Sequence, residues 1–188
     1  MKRIAIFASG TGTNATRIIE HFTDHSTVQV ALVVCNKPKA GVLSIAAAHH
    51  TDTLLIEREQ FLNGDGYVTA LRQRNIDWII LAGFLWKIPQ SLLQHFRGRI
   101  VNIHPALLPD FGGKGMYGNH VHEAVLAAKV NESGITIHYV DEEYDHGATI
   151  FQARCPVLAN DTANTLATRI HALEHQYYSR VIEELVCR

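Results

Sequence analysis

Short apolar runs recur along the first half of the chain, and segments with helical periodicity separate them. A strand that is apolar at successive positions has to be covered on both faces, as in a parallel sheet packed between two layers of helices. The predicted strands are Arg3–Ala8, Val28–Cys35, Thr53–Ile56, Trp78–Ala82 and Ile100–Ile103. The predicted helices are Ala15 to about His25, an Ala-rich segment through about His49, Tyr67–Arg74 and Pro89–Phe96. The alternation predicts an α/β fold with an open, doubly wound, mostly parallel sheet and helices on both faces.

The second half of the chain has a different pattern. In chain order it predicts a glycine-rich loop (Gly112–Asn119), a helix (Val121–Lys129), two strands (Gly134–Val140 and Thr149–Val157) on either side of an acidic loop (Asp141–Gly147), and a long helix (Thr162–Val186) with Asp161 as its N-cap. No repeat, linker or low-complexity segment interrupts the chain. We therefore expect residues 1–188 to form a single domain.

Composition narrows the class of protein. The 188 residues are 47% hydrophobic and 19% charged, with a formal net charge of -1, as in an ordinary globular protein. Such a charge argues against nucleic acid or an acidic membrane surface as a partner. The three cysteines lack disulfide or metal spacing, which indicates a reducing compartment, and no apolar stretch approaches the roughly 18 residues of a membrane span. We expect a cytoplasmic protein.

The segment Asn102–Pro109 presents an amide and an imidazole on a stiff backbone. An apolar strand carries Asn102 and ends at His104, and two prolines with fixed φ frame the residues that follow. An asparagine can donate a hydrogen bond to a developing oxyanion, and a histidine can carry a proton near neutral pH. The segment is a candidate active centre, and the alternative is a strand end with a capping polar pair.

The loop Ser9–Asn14 lies between the first predicted strand and the first predicted helix. Its small residues let backbone amides approach an anion, and a helix N-terminus adds a favourable dipole. The loop lacks the patterns of dinucleotide and triphosphate sites, so a monophosphate is the inference, and a tight turn without a ligand is the alternative. Ser9 and His104 both follow strands at their carboxyl ends, where ligands bind in open α/β sheets, so we expect them to share one crevice.

Asp145 lies in the acidic loop between the two late strands. A carboxylate near His104 would stabilise the imidazolium and raise its pKa, which would keep a proton available for transfer. An aspartate before His-Gly is also a common turn residue, and sequence spacing alone leaves both interpretations open.

Metal binding is not predicted. His171 and His175 lie four residues apart on a helix but lack an evident third ligand. Cys35 and Cys155 fall in apolar strand patterns and are expected to be buried and unreactive.

Several motifs together resemble the phosphoribosylglycinamide (glycinamide ribonucleotide, GAR) formyltransferases, a branch of the folate-dependent formyltransferase superfamily. They are Ser9–Asn14, Leu81–Phe84, Asn102–Pro109, Gly134–His138 leading to Asp145-His146-Gly147, and Arg169 through Glu174-His175. The resemblance covers nearly the whole chain. It implies the formyltransferase fold and transfer of the formyl group of 10-formyltetrahydrofolate to the amine of GAR, giving N-formyl-GAR and tetrahydrofolate in de novo purine biosynthesis.

The resemblance also implies site residues. The catalytic residues would be Asn102, His104 and Asp145, with Asn102 and protonated His104 stabilising the oxyanion of a tetrahedral intermediate. The GAR phosphate and ribose would be held by Gly10, Thr11, Gly12, Thr13, Asn14 and Glu174. The folate would be bordered by Phe84, Leu85, Trp86, Lys87, Ile88, Asn102, Ile137, Val140, Asp141 and Asp145. The co-substrate would be 10-formyltetrahydrofolate without a metal, and the protein a monomer or homodimer acting on small molecules alone.

Two departures from the family pattern concern the mouth of this site. Many members carry arginine where this chain has Trp86, and the loop Gly112–Gly118 is longer than usual. Other enzymes that use 10-formyltetrahydrofolate are alternatives: a hydrolase, a sugar-nucleotide formyltransferase or a tRNA formyltransferase. These would be expected to carry additional length or domains. A non-catalytic phosphate-binding module is the alternative from a different class, and the Asn102, His104 and Asp145 set argues against it.

Overall fold

The computed structural model describes residues 1–188, which form seven strands and seven helices. The strands are β1 (Lys2–Ala8), β2 (Val28–Cys35), β3 (Thr53–Leu55), β4 (Trp78–Leu81), β5 (Ile100–His104), β6 (Glu132–Tyr139) and β7 (Thr149–Pro156). The helices are α1 (Thr13–His21), α2 (Gly41–Ala48), α3 (Arg58–Asn63), α4 (Gly66–Gln73), α5 (Gln90–His95), α6 (Asn119–Ala127) and α7 (Ala163–Val186). The strand order in the sheet is β3-β2-β1-β4-β5-β6-β7. The predicted α/β fold with a mostly parallel sheet is confirmed.

The chain divides into two compact units, and the first comprises Met1–Val101 with Ser179–Arg188. Within it β1 pairs in parallel with both β2 and β4, and β2 pairs in parallel with β3. The residues of β1 from Ile4 to Ala8 are all buried, as expected for a strand covered on both faces. This unit places the loop that follows β1 at the carboxyl end of a central strand.

The second unit comprises Asn102–Tyr178. Here β6 and β7 pair antiparallel, and the loop between them carries Asp145. A Cβ at Gly134 would lie 2.0 Å from the carbonyl oxygen of Ala153, so only glycine allows the two strands to approach this closely. The predicted organisation as one domain stays a prediction. No helix of the structure is both long and apolar enough to cross a membrane.

The structure differs from the predicted elements in a few places. Helix α3 was not predicted, because it is only six residues long and buries a single side chain, that of Phe61. Helix α6 begins at Asn119, two residues before the predicted start, directly after Gly118 with a φ of 56°. Strand β6 begins at Glu132 because that residue already pairs with Pro156 of β7.

Candidate active site

Asn102 and His104 lie two residues apart on β5, so their side chains project from the same face of the strand. The segment that follows is held by Thr136 of β6. The Thr136 hydroxyl donates to the carbonyl of Ala106 at 2.7 Å and accepts from the N–H of Leu108 at 2.9 Å. These bonds, together with the prolines, anchor the backbone beyond His104.

Asp145 lies next to both of these residues. Its Oδ2 is 3.5 Å from Nδ1 of His104, and its Oδ1 accepts from Nδ2 of Asn102 at 3.5 Å. The backbone N–H of Gly113 donates to Oδ2 at 2.9 Å. Asp145 has a φ of 58°, a left-handed conformation that aspartate adopts more readily than most residues. The structure thus brings together the three residues predicted to be catalytic.

Nε2 of His104 is hydrogen-bonded within the protein. Nε2–H donates to the carbonyl of Phe111 at 2.8 Å. Phe111 has a φ of 55°, and the next residue, Gly112, packs so closely that a Cβ there would lie 2.5 Å from Cδ2 of Leu108. The segment after Pro109 therefore contacts His104 through Phe111 and Asp145 through Gly113.

His138 completes the cluster, and the sequence places it only in the 137–145 stretch that the resemblance puts along the folate. Its ring is 2% exposed, its Nδ1–H donates to the carbonyl of Tyr139 at 2.8 Å, and its Nε2 lies 3.1 Å from Nδ2 of Asn102. One signal could have identified it: His138 and Thr136 are polar residues at alternate positions of a strand otherwise apolar at Ile135 and Ile137.

The amide of Asn102 contacts two side chains of the cluster. Its Nδ2 lies 3.1 Å from Nε2 of His138 and 3.5 Å from Oδ1 of Asp145. Its role toward a substrate oxyanion stays a prediction.

Asp145 raises the pKa of His104, as expected, but burial outweighs it. Burial is the largest influence and lowers the pKa below 6.5, although the Asp145 charge and the hydrogen bond to Phe111 act in the opposite direction. For Asp145, burial raises the pKa, but the rings of His138 and His104 and the N–H of Gly113 together bring it below 3.8. In both residues the charge of the partner opposes the effect of burial.

The predicted phosphate loop lies in the first unit, before α1. Helix α1 has no side-chain cap, and its N-cap residue is Gly12 with a φ of 87°. A Cβ at Gly12 would lie 2.9 Å from Cα of Val42, so the turn requires glycine. Gly10, Thr11 and Thr13 are exposed. The uncapped backbone N–H groups and the helix dipole can bind an anion at this end of α1.

Two of the predicted folate residues, Phe84 and Trp86, belong to an aromatic cluster in the first unit. Phe84 contacts Phe7 and Phe61 with ring centroids 5.3 and 5.7 Å apart, and Trp86 lies 5.8 Å from Phe61. Phe84 and Trp86 remain half-buried, and Leu85 and Lys87 are exposed. Ile88 is buried, so it packs in the core and offers little surface to a ligand.

The remaining predicted residues lie in the second unit. Ile137 is fully buried, Val140 is half-buried, and Asp141 is exposed and accepts a hydrogen bond from the N–H of Glu143 at 2.9 Å. Glu174 is buried on α7. A cavity of about 200 Å³ lies beside Asp145, between the segment after Leu108 and the loop from Tyr144 to Thr149.

His171 and His175 face each other on α7 with ring centroids 6.4 Å apart. No group of three or more His, Cys, Asp or Glu side chains is placed to hold a metal ion. The absence of a metal from the chemistry stays a prediction.

Comparisons with known proteins show the family to which the chain is similar. A protein-family model described as formyl transferase matches residues 2–182. The chain is 43% identical to phosphoribosylglycinamide formyltransferase, chloroplastic, of Arabidopsis thaliana, over 96% of the chain but only 64% of that relative's length. It is 38% identical to phosphoribosylglycinamide formyltransferase of Bacillus subtilis, over 99% of the chain and 95% of the relative. The crystal structure of glycinamide ribonucleotide transformylase 1 from Geobacillus kaustophilus superposes with a TM-score of 0.89 at 37% identity, covering 99% of each chain.

Proposed function

The chain belongs to the formyl transferase family, and on that premise we propose that it transfers the formyl group of 10-formyltetrahydrofolate to the amine of GAR. The products are N-formyl-GAR and tetrahydrofolate, an exchange that belongs to de novo purine biosynthesis. The observation that carries the proposal is the convergence of Asn102, His104 and Asp145 at one end of β5. The names of the relatives supply the acceptor substrate.

His104 supplies the hydrogen bond to the oxyanion. Attack of the amine on the formyl carbon gives a tetrahedral intermediate with a negatively charged oxygen. Nε2–H of the imidazole is a donor, and losing one donor of this kind typically costs about 3 kcal/mol of barrier. The carbonyl of Phe111 now accepts that bond, so the formyl oxygen must replace it when the substrates bind.

Asp145 stabilises the positive charge that develops on the amine in the same intermediate. The attacking amine becomes cationic, and an ionised carboxylate nearby stabilises that charge and accepts the proton directly or through water. Its lowered pKa keeps Asp145 ionised at neutral pH. The proton then passes to the leaving N10 of the folate, and no covalent enzyme intermediate is needed.

Substrate binding accounts for much of the remaining rate. Gly10–Asn14 and the N-terminus of α1 hold the GAR phosphate, and Glu174 holds the ribose hydroxyls. The residues that border the folate are Phe84, Leu85, Trp86, Lys87 and Ile88, and also Asn102, Ile137, Val140, Asp141 and Asp145. Holding two substrates in register can contribute about 7–11 kcal/mol to lowering the barrier.

We propose a cytoplasmic monomer or homodimer acting on small molecules alone. The three cysteines are free thiols, which a reducing compartment would maintain. The alternatives are another enzyme that uses 10-formyltetrahydrofolate, such as a hydrolase or a sugar-nucleotide formyltransferase, and a non-catalytic phosphate-binding module.

The test is a turnover assay on the purified chain with GAR and 10-formyltetrahydrofolate. We expect tetrahydrofolate to be released only when GAR is present, with N-formyl-GAR detected by mass spectrometry. His104→Ala should abolish transfer while GAR binding persists, and His49→Ala, which removes an exposed imidazole at the end of α2, should leave turnover unchanged. Release of tetrahydrofolate without GAR would indicate the hydrolase, and binding without turnover would indicate the module.

A further inference from the structure

Ser9 lies between two of the segments to which the proposed function assigns substrates. It follows β1 directly, precedes the residues Gly10–Asn14 that would hold the phosphate, and is 2% exposed. Its backbone N–H donates to the carbonyl of Gly83 at 3.1 Å, and its Oγ accepts from the N–H of Leu85 at 3.0 Å. Ser9 therefore bonds the start of the phosphate segment (Gly10–Asn14) to the aromatic segment (Phe84–Trp86), which would border the folate.

These two bonds depend on different parts of Ser9. The backbone bond continues the parallel pairing of β1 and β4, beside which the N–H of Ala82 donates to the carbonyl of Phe7 at 2.8 Å. Any residue except proline could make that bond at position 9. The chain then bends at Gly83, which has a φ of 73°. Beyond the bend, the bond to Leu85 requires a side-chain acceptor at position 9, and the Ser9 hydroxyl provides it.

The hydroxyl bond holds the backbone between two aromatic rings. The ring of Phe84 packs against that of Phe7 at a centroid distance of 5.3 Å, and the ring of Trp86 lies 6.2 Å from that of Phe84. Phe84 and Trp86 are half-buried, so each keeps a surface that a flat ligand can contact. The position of the Leu85 N–H therefore sets where these two rings stand relative to Ser9.

Helix α2 contacts the phosphate segment. The N–H of Val42 donates to the carbonyl of Gly10 at 3.3 Å, and a Cβ at Gly41 would lie 3.0 Å from the carbonyl oxygen of Thr11. These contacts limit the movement of the phosphate segment toward α2. A shift of the segment on binding an anion is therefore transmitted through Ser9 to Leu85.

From these contacts we infer that Ser9 is a positioning residue, which sets the distance between the phosphate segment and the aromatic segment. The inference rests on the proposed formyl transfer, because that function assigns a substrate to each segment. A reaction between two bound molecules depends on their relative placement, since the reacting atoms must approach to about 3–3.5 Å. The Ser9 hydroxyl acts on this placement through Leu85.

Ser9→Ala removes the side-chain acceptor and keeps the backbone bond to Gly83. We expect kcat to fall roughly 10- to 100-fold, because a misplacement of about 1 Å can cost up to about 10²-fold in rate. The KM for each substrate should stay within about 2-fold, because each segment keeps its own contacts. Ser9→Thr retains a hydroxyl and should recover most of the lost kcat.

Ser133→Ala is the matched control. It removes another hydroxyl of a serine that is 2% exposed, but that hydroxyl has no hydrogen-bond partner. Its kcat should stay within about 2-fold of the wild-type value, by the general rule that groups without a contact to the reacting atoms contribute little to the chemical step. Wild-type kcat in Ser9→Ala, equal losses in Ser9→Ala and Ser133→Ala, or no recovery in a folded Ser9→Thr would overturn the inference. Circular dichroism and thermal unfolding identify a variant that fails to fold, and the next measurement then decides the question.

Titration with inorganic phosphate, followed by ¹H–¹⁵N NMR, tests the inference without turnover. In the wild-type chain we expect the amide signals of Gly10–Gly12 to shift together with those of Leu85 and Trp86. In Ser9→Ala the shifts at Leu85 and Trp86 should shrink while those at Gly10–Gly12 persist.

The outcomes of this titration separate the inference from the proposed function. Wild-type shifts confined to Gly10–Gly12, or undiminished shifts at Leu85 in Ser9→Ala, would overturn the inference and leave the phosphate site standing. No shift at any of these amides would refute the phosphate site and the inference together. The expected shifts without formyl transfer by the wild-type chain would refute the proposed reaction alone.

Discussion

Nδ1 of His104 lies 3.5 Å from Oδ2 of Asp145, with the imidazole 3% and the carboxylate 11% exposed. The aspartate raises the pKa of the histidine, but burial of the ring has the larger effect and leaves that pKa below 6.5. Asp145 itself stays ionised because nearby donors stabilise its charge. The pair therefore combines a hydrogen-bond donor with a fixed negative charge, and four predictions follow from this and from the loops that support the site.

Asp145→Asn should abolish most of the turnover while the fold is retained. The amide oxygen can still accept from Gly113 N–H, but the negative charge that stabilises the cationic amine is gone. We expect kcat to fall by about 10²- to 10⁴-fold, the range for loss of an acid–base group, with GAR binding by calorimetry nearly unchanged. Glu143→Gln removes an exposed carboxylate of the same loop and should have no effect. Near-normal turnover in Asp145→Asn would contradict the assigned role.

Stability should fall as the pH is lowered below 6.5. The pKa values of His104 and His122 are both lowered, chiefly by burial, so the unfolded chain binds protons more readily than the folded chain in this window. Protonation of the unfolded state then draws the equilibrium toward it. Urea denaturation at about pH 7 and about pH 5.5 measures the loss, a window above the range in which carboxylates titrate.

The matched variant for this prediction is His122→Leu, which removes one of the two buried histidines. It should lose less stability than the wild-type chain over the same pH interval. Equal losses in the two proteins would show that His122 does not contribute.

Gly112→Ala should impair catalysis by displacing the carboxylate of Asp145. The added Cβ would lie 2.5 Å from Cδ2 of Leu108 and 3.2 Å from Cβ of Asp145, so one of them must move. Misplacement of a catalytic group by about 1 Å can cost up to about 10²-fold in rate. Steady-state kinetics should show the loss in kcat. Gly66→Ala, where the new Cβ meets nothing within 4 Å, should leave the kinetics unchanged, and a loss there would point to a general effect of the substitution.

Gly12→Ala should destabilise the turn before α1. Its φ of 87° is unfavourable for alanine, and the new Cβ would lie 2.9 Å from the Cα of Val42. We expect the free energy of unfolding to fall by at least about 1 kcal/mol, measured by urea denaturation. Gly10→Ala in the same loop has open space around the new Cβ and should keep its stability. A stable Gly12→Ala variant would show that the turn can rearrange.

Much of the fold could be predicted, because the apolar pattern of each strand indicates whether one or both of its faces are buried. Val28–Cys35 was predicted with the bounds that the structure has, and most other elements differ by one or two residues at their ends. Helix α3 could not be predicted, since six residues with one buried side chain leave almost no periodic signal. The shared face of Asn102 and His104 could also be predicted from the local sequence, because alternate residues of a strand project to the same side.

The rest of the site depended on contacts between distant parts of the chain. Asp145 contacts Asn102, which lies 43 residues away in sequence, and nothing in the acidic loop alone predicts that contact. The contacts of the Phe111 carbonyl and of the His138 ring could not be predicted for the same reason. The effect of Asp145 on the pKa of His104 could be predicted from residue types, whereas the depth of burial that outweighs it could not. The sequence by itself determined the sheet and which residue types it presents. Only the tertiary structure decided their hydrogen-bond partners and protonation, since these depend on distance and solvent exclusion.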